Sequence, residues 1–160
     1  MRKVPLGTTI AYGMPGLGAG YMYLLMSLYV MKFSTDVLLI APAVMGVIFS
    51  ISRIWDAVSD PIAGYLSDRT TFKFGRRRTW MLISFIPISF GFLAVFSPPE
   101  SMQGQSLDLW MMIAILSFYS AITLLNVPHM ALGAELSEDY HERTRLFGVR
   151  PVSYTHLTLP

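Results

Sequence analysis

The sequence contains no cysteine and is poor in charged residues. Asp, Glu, Lys and Arg make up 14% of its 160 residues, against roughly 25% in a soluble domain. The lack of cysteine excludes disulfides and thiolate metal sites. A formal net charge of +2 attracts phosphate backbones only weakly, so we expect no nucleic-acid partner. With 53% hydrophobic residues, the composition instead indicates a chain that lies in a membrane.

Motifs of enzymes and nucleotide-binding proteins are absent as well. The sequence has no nucleophile–base arrangement, no metal-binding spacing of His or Glu, no Walker loop and no dinucleotide-binding fingerprint. Gly16, Gly18 and Gly20 lie inside an apolar run with no strand before them, which argues against a phosphate-binding loop. We therefore expect neither an enzyme nor a cofactor.

Long uncharged runs dominate what is present. Residues 4–31, 79–99 and 109–134 carry no Asp, Glu, Lys or Arg, and 37–52 is a shorter clean run that continues to residue 64 with three embedded charges. A helix needs about 20 apolar residues to cross a bilayer core. The pattern predicts transmembrane helices at about 8–31, 38–66, 79–97 and 109–133.

The basic residues predict the orientation of these helices. They cluster at the N-terminus, in the 67–78 loop and in the polar stretch after residue 142, whereas the opposite links hold only Lys32. Cytoplasmic loops of membrane proteins carry the excess of Lys and Arg. We expect a multi-pass protein of the cell (inner) membrane with its N-terminus in the cytoplasm.

Three charges interrupt the second predicted helix. Arg53, Asp56 and Asp60 follow an i, i+3, i+7 spacing and therefore share one helix face. A charge at the bilayer centre costs at least about 2.5–3.5 kcal/mol, so this face should meet a bundle interior or a hydrated cavity. Arg53 balances the charge of one carboxylate. The charge of the other carboxylate needs Na⁺ or H⁺ to balance it, and Ser59 provides a neutral oxygen nearby. The alternative is a structural arrangement, in which Arg53 pairs with Asp56 and Asp60 bonds to another helix.

The loop after the second helix carries a further set of charges. Asp68 and Arg69 are followed by three consecutive arginines at 76–78. Asp68 could pair with arginines of a neighbouring helix and lock one conformation, or the arginines could serve only to fix topology. We take Arg53, Asp68 and Arg69 as a candidate charge network for gating.

Residues 53–64, 64–78 and 126–145 together resemble the glycoside–pentoside–hexuronide:cation symporter family of the major facilitator superfamily, in its melibiose-carrier branch. The resemblance implies an all-α membrane protein comprising the N-terminal four helices of a twelve-helix transporter. It implies a cation site formed by Asp56, Ser59, Asp60 and Thr123, with a coupling Na⁺ or H⁺ as the sole ion expected.

The resemblance also suggests substrate-binding positions. Asn126 stands where the sugar carriers have an aspartate that holds sugar hydroxyls, and Arg150 matches an arginine of the fifth helix. Gly20 replaces a second sugar-binding aspartate, and Ser59 replaces an asparagine of the melibiose carrier. These departures leave the identity of the sugar and the choice between Na⁺ and H⁺ open.

The last residues differ from the rest of the chain. Residues 151–160 are polar and end in proline where an apolar fifth helix should continue, so we expect a non-native tail. Residues 1–150 would then form a partial N-terminal transmembrane domain that lacks the C-terminal half of the same transporter.

The function predicted is symport of a small-molecule sugar or glycoside, coupled to Na⁺ or H⁺, across the lipid bilayer. The alternative is a structural or degenerate membrane protein whose buried charges only support helix packing. A channel is a third possibility.

Overall fold

The computed structural model describes residues 5–71 and 75–136, and within them the chain forms four long helices. These are α1 (Leu6–Lys32), α2 (Pro42–Arg69), α3 (Arg76–Phe96) and α4 (Gln105–Leu136), with a π-helical turn (Phe33–Val37) directly after α1. The all-helical architecture expected from the sequence is confirmed.

The connections explain where the helices begin. The π-helical turn and a short link occupy residues 33–41, so α2 starts at Pro42 rather than near residue 38. Proline suits this first turn because its missing N–H would have no partner there anyway. Gly75 before α3 and Gly104 before α4 have φ values of 94° and 58°, which glycine adopts without the steric cost of a Cβ.

The side-chain contacts define the directions of the helices. Along α2 and α4 the paired residue numbers rise together, so these two helices run parallel. Along α1 and α4 they run in opposite senses, as they do along α3 and α4. The contact pairs are Trp55–Ser120 and Asp60–Thr123, then Tyr12–His129 and Tyr23–Tyr119, then Phe92–Phe118 and Ala94–Trp110.

This up-and-down order creates two ends. The first end holds the start of α1, the α2–α3 connection and the end of α4, and the second end holds residues 33–41 and 97–104. The two ends thus separate the connections in the way that alternating membrane spans require.

Helix α4 lies at the centre of the packing. Phe118, Met111, Ile115 and Leu125 on this helix are fully buried. Helix α3 lies close to it at Gly91, where an added Cβ would lie 2.9 Å from the Phe118 Cα. Absence of a side chain therefore sets the distance between these two helices.

Two of the described helices are long and apolar enough to cross a membrane by length and composition alone, namely Arg77–Phe96 and Gln105–Glu135. Helices α1 and α2, with 27 and 28 residues, are also long enough to cross a bilayer core. Large apolar side chains such as Leu39, Ile54 and Phe90 are exposed on the four-helix surface, as expected where lipid or further helices cover it.

Candidate functional site

The parallel helices α2 and α4 bring together two residues of the expected cation site. The Thr123 hydroxyl donates a hydrogen bond to the Asp60 carboxylate, with 2.9 Å between Oγ1 and Oδ1. Thr123 is buried at 7% exposure, whereas Asp60 is exposed on the four-helix unit. The bond holds one carboxylate oxygen and leaves the lone pairs of the hydroxyl available to another ligand.

Asp56 lies one turn further along α2 toward the second end. Its Oδ2 is 3.6 Å from the Arg53 Nη1, and its side chain is 23% exposed while that of Arg53 is 66% exposed. The other oxygen, Oδ1, is buried and has no hydrogen-bond partner in the described part of the chain. Ser59 donates to the main-chain oxygen of Asp56 at 3.4 Å and not to a carboxylate.

Within residues 5–71 and 75–136, the side chains of Arg53, Asp56 and Asp60 sum to one negative charge. Asp56 and Asp60 contribute two negative charges and Arg53 one positive charge. The two acids are four residues apart, which is about 6 Å along the helix axis. No group of three or more His, Cys, Asp or Glu side chains that could hold a metal is found in residues 5–71 and 75–136. Carboxylate and hydroxyl oxygens are ligands of the kind that hard cations take.

One of the two expected substrate residues, Asn126, lies toward the first end. Asn126 is half-buried on α4, three residues beyond Thr123 and on the same face. Met130, a further turn along, is exposed. Arg150 lies outside the described residues.

The candidate gating residues divide into separate contacts. Asp68 Oδ1 is 3.2 Å from the Arg77 Nη2, which also lies 2.9 Å from the Glu135 Oε1 at the end of α4. The guanidinium of Arg69 instead stacks on the Tyr65 ring, 4.3 Å from its centroid. Arg53 is fifteen residues before Asp68, about 22 Å along α2, so it lies beside Asp56 and not in this network.

The ion pairs at the first end join three helices through Arg77. Its side chain is only 11% exposed, and it connects α3 to Asp68 of α2 and Glu135 of α4. Neither Arg77 nor Glu135 was among the expected site residues. The cluster at 76–78 was the available signal, but three adjacent arginines do not reveal which one turns inward.

Two further contacts join α1 to α4. The Tyr12 hydroxyl donates to the main-chain oxygen of His129 at 3.1 Å, and His129 Nε2 lies 2.7 Å from the main-chain oxygen of Tyr12. Nearer the second end, the Tyr23 and Tyr119 rings meet edge to face with centroids 6.1 Å apart. Arg53 lies over the Tyr119 ring, 5.7 Å from its centroid. Contacts from α1, as well as from α2 and α4, thus surround the part of the structure that holds Arg53 and Asp56.

Comparison with known proteins identifies relatives of this chain. The chain is 36% identical over 153 residues to the uncharacterized symporter sll1374 of Synechocystis sp., covering 92% of this chain and 28% of that protein. It is 26% identical over 147 residues to the isoprimeverose transporter of Lactiplantibacillus pentosus, covering 92% of this chain and 30% of that protein. It is 33% identical over 112 residues to the sodium-dependent lysophosphatidylcholine symporter 1-A of Danio rerio, covering 69% of this chain and 21% of that protein.

The chain thus spans less than a third of the length of each of these three relatives. All three are named as symporters or transporters, so the expectation that the protein is not an enzyme is confirmed. A family model described as MFS/sugar transport protein matches residues 11–158. The chain is therefore a membrane protein that belongs to the MFS/sugar transport protein family of the major facilitator superfamily.

Proposed function

We propose that these helices form part of a carrier that couples cation movement to the uptake of a sugar or glycoside. The observation that carries the proposal is the hydrogen bond from Thr123 to Asp60, which joins α2 and α4 beside a second carboxylate, Asp56. Ionisable groups inside a membrane are costly and therefore point to function. The remaining helices of a twelve-helix carrier would supply the opposite wall of the solute pathway.

The coupling follows from the unbalanced charge. A cation that binds between Asp56 and Asp60 neutralises the region, which lowers the electrostatic cost of closing the carrier around its solute. The cation and the solute then raise each other's affinity by the same factor, because linkage is reciprocal. The loaded carrier rocks to the other side and releases both.

We propose Na⁺ as the coupling ion in preference to H⁺. Carboxylate oxygens of Asp56 and Asp60 and the hydroxyl of Thr123 form an oxygen set of the kind that hard cations take. The buried Asp56 Oδ1 has no hydrogen-bond partner among the described residues, which is what an oxygen reserved for an ion requires. One relative is by name sodium-dependent.

We propose a sugar or glycoside as the solute. The family description and the isoprimeverose transporter support this class, whereas another relative is by name a lysophosphatidylcholine symporter. The feature that a sugar carrier and a lysolipid carrier are expected to have in common is the coupling region, so the solute has to be determined separately. Asn126, beside Thr123, is the proposed contact for solute hydroxyls, with Arg150 as a second.

Uptake into vesicles tests this function. The complete carrier that contains these helices is reconstituted, and uptake of labelled isoprimeverose, other glycosides and lysophosphatidylcholine is measured under an inward Na⁺ gradient. We expect saturable glycoside uptake that rises about tenfold over the Na⁺-free control, within the usual range of coupling factors. A proton gradient with K⁺ as the only metal cation is the matched comparison. Equal uptake under all gradients contradicts coupling, stimulation by protons alone replaces Na⁺ by H⁺, and uptake of the lysolipid alone replaces the solute class.

The side of the membrane that each end of the helices faces can be tested by cysteine labelling. We propose that the protein lies in the inner membrane and that its first end, where the arginines cluster, faces the cytoplasm. Thr71 lies exposed at the first end and Ser101 exposed at the second. Because this chain has no cysteine, Thr71→Cys and Ser101→Cys each introduce one reporter when the rest of the carrier is also cysteine-free.

A membrane-impermeant maleimide added to intact cells is expected to label the Ser101→Cys variant. The Thr71→Cys variant should react only after the membrane is permeabilised. The opposite pattern would show that the N-terminus lies outside.

A further inference from the structure

Three aromatic and charged side chains form a layer directly beside the proposed cation region. Arg53 lies over the ring of Tyr119, 5.7 Å from its centroid, within the distance of about 6 Å at which cation–π attraction operates. Tyr23 from α1 meets the same ring edge to face at 78°. Such edge-to-face pairs fix the orientation of a ring. Tyr119 is buried, whereas Tyr23 is 38% exposed.

This layer is in register with the proposed ion ligands. Tyr119 precedes Thr123 by four residues on α4, and Arg53 precedes Asp56 by three on α2. Residues at these spacings share a helix face. The aromatic layer therefore stands one turn from the ion ligands, on the side of the second end.

Arg53 has competing partners, which are the Asp56 carboxylate on its own helix and the side chains of Tyr23 and Tyr119. Its Nη1 is 3.6 Å from the Asp56 Oδ2, longer than the roughly 2.7–2.9 Å of a tight charge-assisted hydrogen bond. The guanidinium is within reach of both the carboxylate and the ring. A cation at the unpartnered Asp56 Oδ1 competes with the guanidinium at Oδ2 for the negative charge of the same carboxylate.

We propose that Tyr119, held by Tyr23, is a positioning residue that sets the affinity for the coupling cation by giving Arg53 an alternative resting place. The ring draws the guanidinium partly away from Asp56, which leaves more of the carboxylate's negative charge to the cation. This inference rests on the proposed function and adds to it a role for two tyrosines that contribute no ligand to the ion.

The effect of removing the ring is measured with Na⁺ alone. Na⁺ binding to the purified complete carrier is followed by calorimetry. Tyr119→Leu is expected to raise the Na⁺ dissociation constant roughly two- to fivefold, which corresponds to the loss of one cation–π contact at an accessible site. Tyr119→Phe keeps the ring and is expected to restore the wild-type affinity. Tyr23→Leu should shift the constant in the same direction and by less.

A double-mutant cycle separates this role from a merely structural one. In the Arg53→Gln background the guanidinium is gone, so Tyr119→Leu should change Na⁺ affinity by less than twofold there. An equal change of Na⁺ affinity in both backgrounds, or no change in the protein that retains Arg53, overturns the inference. If the Tyr119→Leu protein does not fold, Tyr23→Leu and Tyr23→Phe, compared with and without Arg53, decide the same question.

Asp60→Asn distinguishes failure of this inference from failure of the proposed function. If Asp60→Asn binds Na⁺ as tightly as the wild type, the proposed cation site is wrong and the inference falls with it. If Asp60→Asn loses Na⁺ binding while Tyr119→Leu binds normally, only the role of the tyrosines is overturned.

Discussion

Asp60→Asn is expected to abolish Na⁺ stimulation of solute uptake while leaving the helices packed. Asparagine keeps the shape of the side chain and an oxygen that accepts the hydrogen bond from Thr123. In the wild type, the Thr123 Oγ1 lies 2.9 Å from the Asp60 Oδ1. The substitution therefore removes the charge and preserves the contact between α2 and α4. With Asp56 alone facing Arg53, the region is neutral without a cation. The factor by which Na⁺ increases uptake should fall from about ten to about one.

This substitution also separates the two readings of the charges in α2. If the acids only support helix packing, the retained hydrogen bond predicts a nearly normal protein, with cation dependence and folded yield unchanged. Asp36→Asn is the matched control, since it makes the same chemical change at an exposed position in the π-helical turn. It should transport like the wild type. Na⁺-stimulated uptake by Asp60→Asn at the wild-type level would establish the structural reading instead.

Thr123 places part of the proposed cation site on α4. Its hydroxyl is the contribution of α4 to the proposed site, so the cation would join residues of two helices that lie 63 positions apart in the sequence. An ion held by both helices binds most tightly when they are in one relative arrangement, and a ligand shifts a conformational equilibrium only by such differential affinity. The coupling of ion and solute is thus expected to depend on how α2 and α4 sit against each other.

Local rules accounted for the helices and for the shared face of the three charges. Arg53, Asp56 and Asp60 could be assigned to one side of α2 because helical periodicity fixes relative angle over seven residues. The distribution of Lys and Arg gave the alternation of ends that the contacts reproduce as parallel and antiparallel pairs. Family resemblance, and not periodicity, suggested that Thr123 would lie near Asp60, because spacing along a chain says nothing about which residues of two separate helices meet.

The sequence offered Asp68 a pairing with arginines of a neighbouring helix but did not show which arginine, and that choice depends on tertiary structure. Arg77 selects Asp68 and Glu135 as partners, and Arg69, the neighbour of Asp68 in the chain, turns to Tyr65 instead. A difference of one residue along a helix changes the direction of a side chain by about 100°, so adjacent charges need not join the same network. The π-helical turn after α1 likewise has no signature in the pattern of apolar residues.

Gly91→Ala is expected to destabilise the four-helix unit more than its small size suggests. A Cβ at this position would lie 2.9 Å from the Phe118 Cα and 3.0 Å from its main-chain nitrogen. These are backbone atoms of the central helix, so α3 and α4 have to separate before the methyl group fits. Overpacking of this kind costs about 1–3 kcal/mol. The complete carrier in detergent should therefore lose its folded state at a clearly lower temperature than the wild type.

Gly46→Ala provides the control that isolates close packing from the conformational effect of glycine. Gly46 lies in α2, and an added Cβ there meets nothing within 4 Å in the described structure. Replacing glycine by alanine in a helix interior favours the helix by about 1 kcal/mol, so this variant should melt at or above the wild-type temperature. Because both substitutions add one methyl group to a helix, a lower midpoint for Gly91→Ala alone measures the closeness of α3 to α4. Equal midpoints for the two variants would mean that the crossing at Phe118 is looser than 2.9 Å implies, and that the central position of α4 does not depend on this glycine.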